Sequence, residues 1–484
     1  MSNQIEKPLP FTKIVATLGP ASSNKKTLTE MIKFGVSVVR LNFSHGSHAE
    51  HLKRIELTRE CAAACNRHVG ILADLQGPKI RIASFKKGQA FLEVGATFTL
   101  DVNLNTEEGT AESVSIDYKN LPNDVQPGDT LVLDDGRIVL EIDNVAAGRI
   151  FTTVRVGGVL TDHKGINKLG GGLSAKALTA KDLDDMRFAL EHGVDYIAIS
   201  FPRSAADIQE AREHIKSMGG CAGIIAKIER TEAVTNLEEI TEASDGTMVA
   251  RGDLAVEIGD ANVPVIQKKM IQLARQHNKP VITATQMMES MISNTIPTRA
   301  EVSDVANAVL DITDAVMLSA ETAVGEHPAL VIKTVARTCL AAEEMPDNHQ
   351  ALQSMDRMTN RVDQAIAMAT MYTANHLDIA AIIALTESGM TPLWMSRIRS
   401  SIPIYGLSRN LNALGRMTLY RNVFPIQFDV TNYTHATINQ AAVNTLQEHL
   451  KLPQDTLLIL TKGDHLGVGG GANAMKILKT DEIL

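Results

Sequence analysis

The chain has 484 residues, of which 44% are hydrophobic, 21% charged and 4% aromatic, and its formal net charge is −9. This composition predicts a soluble protein with more than one hydrophobic core, divided into roughly two to four domains. An acidic balance without a block of lysine and arginine argues against a nucleic-acid partner. The N-terminus MSNQIEKPLPFTKIVATLG lacks a secretory pattern and no apolar run approaches about 18 residues, so we expect a cytoplasmic protein without a membrane partner.

Apolar, strand-like segments alternate with amphipathic segments over much of the chain. This alternation predicts βαβ units and a parallel sheet, and eight units predict a (β/α)8 barrel. Amphipathic segments such as Lys181–His192 and Ala205–Ser217 are its predicted helices. The predicted strands are 13–19, 36–44, 69–76, 194–201, 222–229, 246–253, 280–287 and 314–322.

The pattern changes between the third and fourth predicted strands. From about Ile82 to Lys176 the chain has short alternating runs separated by tight turns. Within it, LVLDDGRIVLEI predicts a hairpin with Asp135 and Gly136 at the turn. We therefore predict an all-β lid domain over residues 82–176, inserted in a loop of a barrel formed by residues 1–81 and 177–345.

A second α/β unit follows the barrel. The polar stretch MPDNHQALQSMDRMTNRVDQ after Glu344 predicts a linker. Beyond it, the strand-like runs IAAIIALT, IPIYGLS, VFPIQFDV and TLLILTK alternate with helical patterns. This alternation predicts an open α/β domain over residues 346–484.

The cysteines do not form a metal motif. Cys61 and Cys65 lie one helical turn apart, and a zinc site of this kind normally needs a second pair of ligands. We interpret the cysteines as small buried hydrophobic residues. The four are Cys61, Cys65, Cys221 and Cys339.

Polar side chains collect at the ends of the predicted barrel strands, where barrel enzymes place their chemistry. In VVRLNFSHG, Arg40, Asn42 and Ser44 alternate with apolar residues and so share one face of a strand. Lys227 and Glu229 share a face in IIAKIER by the same spacing. Further polar residues stand at other strand ends, namely Asp74, Asp253, Thr285 and Ser319.

Each of these residues alone has a structural interpretation as a solvated rim charge, a satisfied hydroxyl or a stabilising ion pair. Their coincidence at six strand ends favours a functional site. Two carboxylates without histidine or cysteine suit Mg2+ or Mn2+, and Arg40 and Lys227 suit an anionic phosphate or carboxylate. Backbone amides at a helix start near Gly252 and Asp253 also suit a carboxylate. Together these groups predict phosphoryl transfer.

The usual nucleotide-binding loops do not account for such an activity. The pattern G-x-x-x-x-G-K-[ST] does not occur in the sequence. GVGGGA at 467–472 fits G-x-G-x-x-A, but residues 473–484 are too few to complete a βαβ unit after it. A nucleotide site of another kind is therefore expected.

Several motifs resemble the pyruvate kinase family, in the family's order. They are VVRLNFSHG, DLQGPKIR, IIAKIE, MVARGDL, ITATQMMESM, PTRAEVSDVANAVLD and MLSAETAVGEHP. The resemblance extends from Thr12 over nearly the whole chain, and ATQMMESM followed by PTRAEVSDVANAV is specific to the family. It implies a glycolytic, cytoplasmic homotetramer that converts phosphoenolpyruvate and ADP to pyruvate and ATP.

The resemblance also implies roles for residues at the barrel mouth. Glu229 and Asp253 look like ligands of a divalent metal, Mg2+ or Mn2+, that also touches the substrate. Lys227 looks like the cation that bridges the transferred phosphoryl group and the developing enolate, and Arg40 looks like a phosphate contact. Asp253 belongs in addition to the group that binds the substrate carboxylate.

Further roles follow from the same resemblance. Gly252 and Thr285 resemble the other members of the carboxylate-binding group. Arg81 and Lys164 lie on the nucleotide side. A water chain near Thr285 and Ser319 would protonate the enol carbon, since hydroxyls relay protons but are poor acids themselves.

The segment DLQGPKIR departs from the family pattern. Many members read DTKGPEIR here and need K+ near Asn42, Ser44 and Asp74. Lys79 stands in place of their glutamate, and members with lysine at this position resemble a potassium-independent group. We therefore predict that K+ is not required, because the Lys79 ammonium acts as an internal cation that partly neutralises Asp74. The alternative is a lysine that points to solvent beside the lid hinge.

The segment TESGMT in the C-terminal domain predicts an effector site. Hydroxyls and backbone amides before a helix that begins near Pro392 suit a phosphate, and the family binds sugar-phosphate or nucleotide activators in this domain. An ordinary helix cap is the alternative, and TKGDHLGVGGGAN either closes over such a ligand or is a flexible loop. The predicted effector residues are Thr386, Ser388, Gly389 and Thr391.

Two other functions remain open from the sequence. One is a barrel enzyme of the phosphoenolpyruvate mutase or metal-dependent aldolase kind, against which the inserted lid and Lys164 argue. The other is a non-catalytic metabolite-binding regulator on the same scaffold, against which the retained Lys227, Glu229, Asp253 and Thr285 argue.

Overall fold

The computed structural model describes residues 9–345, 359–465, 467 and 470–481 of the chain. Its largest unit is a closed barrel of eight parallel strands, each paired with its neighbours in barrel order. The predicted (β/α)8 barrel is therefore confirmed. The strands are Lys13–Thr17, Val36–Asn42, Gly70–Asp74, Tyr196–Ile199, Gly223–Ile228, Gly246–Ala250, Val281–Ala284 and Ala315–Leu318.

Helices follow the barrel strands. The two helices predicted above are observed at Ala180–Glu191 and Ala205–Ser217. Among the described residues, no helix is long and apolar enough to cross a membrane. The remaining barrel helices are Lys25–Phe34, His48–Ala64, Thr231–Thr235, Leu237–Ala243, Arg251–Ile258, Val263–Gln276, Arg299–Leu310, Ala320–Ala323 and Pro328–Glu343, with 3-10 turns at Asp260–Asn262 and Glu289–Ile292.

Every barrel strand ends earlier than the sequence predicts. Asp253, for example, lies in the first turn of the helix Arg251–Ile258 rather than in a strand. The apolar pattern continues past the strands because the residues that follow are also buried, so periodicity does not mark where the hydrogen-bonded ladder stops. Four other predicted site residues likewise lie just beyond their strands, namely Ser44, Glu229, Thr285 and Ser319.

The barrel interior is a packed core rather than a pore. Side chains at alternating positions of the strands fill it. Leu419 of the C-terminal domain belongs to the same cluster, so that domain covers the N-terminal end of the barrel and leaves the other end open to ligands. The interior residues from the strands are Val15, Val38, Leu72, Tyr196, Ala198, Ile225, Met248, Ile282, Ala284, Ala315 and Met317.

The lid lies between the third and fourth barrel strands and has its own apolar core. The predicted hairpin is confirmed, with Leu133 opposite Ile138 across a turn at Asp134–Gly136. The lid is built of β-strands, as predicted, with one short helix in addition at Leu121–Asp124. The lid strands are Gln89–Leu92, Thr97–Asp101, Ser113–Ser115, Thr130–Leu133, Ile138–Ala146, Arg149–Val156, Gly158–Thr161 and Ile166–Lys168, in a two-stranded and a six-stranded sheet.

The C-terminal domain is the predicted open α/β unit. Four strands are parallel, and a fifth, Ala472–Lys479, is antiparallel and was not predicted. This last strand begins at Ala472, the final residue of GVGGGA, so no βαβ unit begins at that motif, as predicted. The other strands are Ala381–Leu385, Ile404–Ser408, Val423–Gln427 and Leu457–Gly463, and the helices are Val362–His376, Met390–Ser396, Leu411–Met417 and Ile438–Leu450, with a 3-10 turn at Val430–Asn432.

The cysteine prediction is only partly correct. Cys61 and Cys339 are buried, whereas Cys65 is half-buried and Cys221 is exposed. Most of the predicted linker lies outside the described residues, which leave out 346–358. The domain boundaries at 81/82, 176/177 and 345/346 stay predictions.

A buried charge cluster joins the barrel to the C-terminal domain. Asp314, which is fully buried before the eighth barrel strand, accepts hydrogen bonds from both terminal nitrogens of Arg397, with Nη1 3.0 Å from Oδ2. The backbone N–H of Arg421 also donates to Asp314 Oδ1, at 3.0 Å. Burial and the charge of Arg397 lower the pKa of nearby Arg275 to about 9. Asp314 is therefore the counter-charge for buried cations of this interface.

Asp314→Asn should lower the apparent free energy of unfolding by about 3–5 kcal/mol, because it leaves the buried Arg397 guanidinium without its counter-charge. Urea unfolding followed by circular dichroism measures this. As the matched control, Asp311→Asn breaks a partly exposed contact with Lys268 Nζ, 2.7 Å from Asp311 Oδ2, and should cost less than about 1 kcal/mol. Equal costs for the two variants would contradict the role given to Asp314.

Candidate functional site

The ammonium of Lys227 is buried at the barrel mouth among oxygens from three neighbouring strands. Its Nζ lies 3.2 Å from Asp74 Oδ1 and 2.9 Å from Glu229 Oε1. It also donates a hydrogen bond of 2.6 Å to Ser200 Oγ, a residue that the sequence analysis missed. Asp74 pairs in addition with Arg40, whose Nε lies 2.6 Å from Asp74 Oδ2. The structure thus brings four of the predicted residues together.

The ionisation of this cluster follows from burial and mutual attraction. Burial alone would raise the pKa of Asp74, but the charges of Lys227 and Arg40 overcome it and lower that pKa. Burial opposes the charge on Lys227, yet Asp74 and Glu229 raise its pKa well above the usual range. The cluster therefore keeps Lys227 as a cation and Asp74 as an anion at neutral pH.

Glu229 and Asp253 fit a hard divalent cation. Burial raises the pKa of Glu229, Lys227 opposes this, and the negative charge of Asp253 raises it further. A cation placed between the two carboxylates would relieve that repulsion, and oxygen is the ligand that Mg2+ and Mn2+ prefer. The pair supplies two protein ligands, which suits a metal that completes its coordination with substrate and water.

The backbone beside Asp253 is arranged around Thr285. Gly252 N–H, in the first turn of the helix Arg251–Ile258, donates to Thr285 Oγ1 at 3.0 Å. Thr285 has φ +66°, a conformation that a β-branched residue rarely adopts. Arg251, another residue missed from the sequence, donates from Nε to the Thr285 carbonyl at 3.2 Å and pairs with Asp304. These contacts hold the strained Thr285 at the barrel mouth.

Ser319 follows the eighth barrel strand, which pairs with the strand that ends before Thr285. Its backbone N–H donates to Glu321 Oε2 at 2.7 Å. The two hydroxyl residues predicted to support a proton relay therefore follow adjacent strands.

Lys79 does not contact the partner that was predicted for it. Its Nζ lies 3.2 Å from Asp253 Oδ1, whereas Asp74 is paired with Arg40 and Lys227. Lys79 therefore forms no ion pair with Asp74, and its role as an internal cation stays a prediction. The solvent-pointing alternative does not fit, because the side chain is only 27% exposed and ion-paired.

The region predicted for a monovalent cation is organised by internal contacts. Asn42 lies opposite Asp74 in the register of the second and third barrel strands. Ser44 N–H donates to Asn42 Oδ1 at 3.1 Å. The side-chain oxygen of Asn42 therefore already accepts a hydrogen bond from the backbone.

Arg81 and Lys164 come together at the base of the lid. Arg81 forms an isolated bridge with Gly165, and Lys164 Nζ lies 2.7 Å from Asp134 Oδ1. Arg81 Nη1 donates to the carbonyl of His163 at 2.8 Å. Both cations thus lie where the lid joins the barrel.

His45 is a further residue at the mouth that the sequence analysis quoted but did not single out. Burial lowers its pKa, and the positive charges of Arg81, Arg40 and Lys79 lower it further. Cations predicted for substrate, nucleotide and monovalent-cation roles therefore all act on the pKa of one imidazole. The signal was its place in NFSHG, next to Ser44.

The predicted effector residues border a cavity in the C-terminal domain. The cavity encloses about 480 Å3 of empty space, part of it open to solvent. Gly389, with φ +79°, precedes the helix Met390–Ser396 and donates its N–H to Thr386 Oγ1 at 2.9 Å. The helix begins two residues before the predicted Pro392. The lining includes the predicted Thr386, Ser388 and Thr391, together with His465, Gly467 and Gly470 from the later loop.

Lys462 is the cationic residue of this cavity that the sequence analysis missed. It lies at the end of the strand Leu457–Gly463, and burial together with the charge of Lys476 lowers its pKa. Glu387 on the cavity wall pairs with Arg409 at 3.2 Å. A lysine after the apolar run TLLILT was the available sequence signal.

Family models match both main parts of the chain. One, described as pyruvate kinase, barrel domain, matches residues 9–332, and another, pyruvate kinase, alpha/beta domain, matches residues 364–478. Pyruvate kinase II of Salmonella typhimurium is 52% identical over 474 residues, 97% of this chain and 98% of the relative. Pyruvate kinase of Haemophilus influenzae is 50% identical over 473 residues, with the same coverage. That of Geobacillus stearothermophilus is 41% identical over 477 residues, 98% of this chain and 81% of the relative.

The fold and the charged barrel mouth define a (β/α)8-barrel phosphotransferase with an inserted lid and a C-terminal α/β domain. The chain belongs to the pyruvate kinase family. The resemblance seen in the motifs is confirmed, and it replaces the mutase or aldolase interpretation.

Proposed function

We propose that this chain transfers the phosphoryl group of phosphoenolpyruvate to ADP, giving pyruvate and ATP. The observation that carries the proposal is the buried Lys227 ammonium, held beside Arg40 and next to the carboxylates of Glu229 and Asp253. Phosphoryl transfer depends mainly on positioning and on neutralising charge, and this cluster supplies both.

Each cation has a place in the transfer. Lys227 contacts the transferred phosphoryl group. It also stabilises the negative charge that develops on the enolate oxygen as the bond to phosphorus breaks. Arg40 binds the phosphate from the second barrel strand, where its Nε–Asp74 ion pair fixes the guanidinium. Arg81 and Lys164 at the lid base bind the nucleotide phosphates.

Glu229 and Asp253 would hold Mg2+ or Mn2+. Held there, the metal would supply charge neutralisation for the anionic substrate. The chain itself binds the substrate carboxylate with the backbone at Gly252 and Asp253 and with Thr285.

Closure of the lid excludes water, so that phosphoenolpyruvate is not hydrolysed. The remaining step is protonation of the enol carbon. The hydroxyls of Thr285 and Ser319 follow adjacent strands, and they order the water that delivers this proton.

The same proposal includes independence from K+. Asp74 already has two internal counter-charges, Arg40 and Lys227. The positive charge of Lys79 also contributes to the lowered pKa of His45, which lies beside the expected cation region. Lys79 thus acts as an internal cation of the mouth, through Asp253 and not through Asp74.

Regulation through the C-terminal domain completes the proposal. The cavity at Thr386, Ser388 and Thr391 combines hydroxyls, a left-handed Gly389 before a helix, and the Lys462 ammonium. These groups suit the phosphate of a sugar-phosphate or nucleotide activator. The protein acts in the cytoplasm as a homotetramer, as expected for the family.

Lys227→Met should lower kcat about 10³-fold or more, because the cation at the transferred phosphoryl group is lost. Pyruvate formation coupled to NADH oxidation measures this, and Mn2+ binding followed by electron paramagnetic resonance should change little. Lys268→Met, which removes a mostly exposed ion-paired lysine, is the control and should keep normal turnover. Absence of pyruvate formation by the unaltered protein would favour the non-catalytic regulator, and normal turnover of Lys227→Met would exclude the role of Lys227.

The unaltered protein should reach its full rate with tetramethylammonium in place of K+. Lys79→Glu should lower this K+-free rate about tenfold or more, since the internal cation is replaced by an anion. Adding K+ should then restore much of the rate of this variant. Lys87→Glu makes the same charge change at an exposed lid residue and should not create K+ dependence. Strong K+ activation of the unaltered protein would refute this part of the proposal.

Lys462→Ala should raise the concentration of activator needed for half-maximal effect about tenfold or more, because a cationic contact to the phosphate is lost. The assay uses sugar monophosphates, sugar bisphosphates and AMP at low phosphoenolpyruvate. Lys476→Ala removes an exposed neighbouring lysine and should leave that concentration unchanged. Activation that is insensitive to Lys462→Ala, or no activation by any of these probes, would rule out the site.

A further inference from the structure

We propose that Ser200 is a positioning residue of the reaction, which fixes the ammonium of Lys227 by a hydrogen bond that remains when Glu229 is engaged elsewhere. The inference rests on the proposed phosphoryl transfer. Ser200 directly follows the fourth barrel strand and is 1% exposed. Its hydroxyl lies between the Lys227 ammonium and the first segment of the lid hinge.

The orientation of the Ser200 hydroxyl is determined by its two partners. Its Oγ–H donates to the carbonyl of Leu75 at 2.7 Å, and Oγ accepts from Lys227 Nζ at 2.6 Å. A serine hydroxyl has one proton, and a carbonyl only accepts. Because the hydroxyl proton points to the Leu75 carbonyl, a lone pair of Oγ faces the ammonium. Ser200 is therefore a hydrogen-bond acceptor for Lys227.

The three acceptors around Lys227 are not equivalent. Glu229 is also a proposed metal ligand, so its negative charge is shared once the metal is bound. Asp74 is shared with Arg40, and its Oδ1 lies 3.2 Å from the ammonium without the directional geometry of a hydrogen bond. Ser200 has neither competitor. It therefore sets the direction of one N–H of Lys227, while the others face carboxylates whose charge is shared with Arg40 or with the proposed metal.

Ser200 is also held from the side of the lid. Gly77, with φ +67°, lies so close that a Cβ at this position would come within 2.7 Å of the Ser200 Cβ. The Gly77 N–H in turn donates to Asp182 Oδ1 at 3.0 Å. Because Leu75 and Gly77 begin the segment that leads to the lid, the serine joins the hinge to the catalytic lysine.

The test is a double-mutant cycle with Lys227. Ser200→Ala should lower kcat about 10- to 100-fold, since small displacements of a reacting group are costly. The KM for phosphoenolpyruvate and the Kd for Mn2+ should change less than about threefold. In the Lys227→Met background, Ser200→Ala should lower the residual turnover less than about twofold, because its effect passes through the missing ammonium.

The control is Ser244→Ala. Ser244 is a fully buried serine whose hydroxyl donates to the Thr241 carbonyl at 3.1 Å, and it precedes the sixth barrel strand, at the end of the barrel opposite the site. It should leave kcat unchanged. If Ser200→Ala does not fold, as judged by its thermal unfolding, Ser200→Cys replaces it, since a thiol fills the space but is a weak acceptor.

The outcomes separate this inference from the proposed function. An unaltered protein that forms no pyruvate removes the proposed function and the inference with it. An active unaltered protein with normal kcat in Ser200→Ala refutes only the role of Ser200. Equal fractional losses in the Lys227 and Lys227→Met backgrounds also refute it, because they indicate a general structural effect.

Discussion

The burial of one ammonium, that of Lys227, imposes the strongest constraint on this barrel. A buried cation is costly unless oxygens surround it, and here each oxygen comes from a different strand. Asp74 ends the third barrel strand, Ser200 follows the fourth, and Glu229 follows the fifth, which carries Lys227 itself. The three strands must therefore be in register before the charge is satisfied, so the site exists only in the closed barrel.

At the opposite end of the barrel the buried charge is negative and its partners are N–H donors. There the carboxylate of Asp314 accepts from the guanidinium of Arg397 and the backbone of Arg421. The C-terminal domain supplies these cations, and its Leu419 closes the packed interior. One buried charge thus orients the chemistry and the other attaches a domain, which leaves the mouth between barrel and lid as the open end.

Much of this organisation was accessible from sequence, because strands, helices and strand ends follow local periodicity. The eight barrel strands, the hairpin of the lid and the common face of Lys227 and Glu229 all came from spacing. The failures are of another kind. Ser200 looked like one more residue of an apolar strand, and the antiparallel strand Ala472–Lys479 was missed because the glycine run before it was interpreted as a ligand-covering or flexible loop and not as the turn of a hairpin. Lys79 was assigned to Asp74 from the family pattern around the K+ region, whereas its ion pair is with Asp253.

By itself, the sequence determined the order of the elements, the chemical character of the barrel mouth and the family of the protein, since these depend on residue types and short-range spacing. Only the tertiary structure decided which residues form ion pairs and hydrogen bonds with each other. Lys79 reaches Asp253, 174 residues away, and Ser200 accepts from Lys227, 27 residues away. The physical reason is that ion pairs and hydrogen bonds depend on distance through space, and closing the barrel brings distant strand ends within a few ångströms.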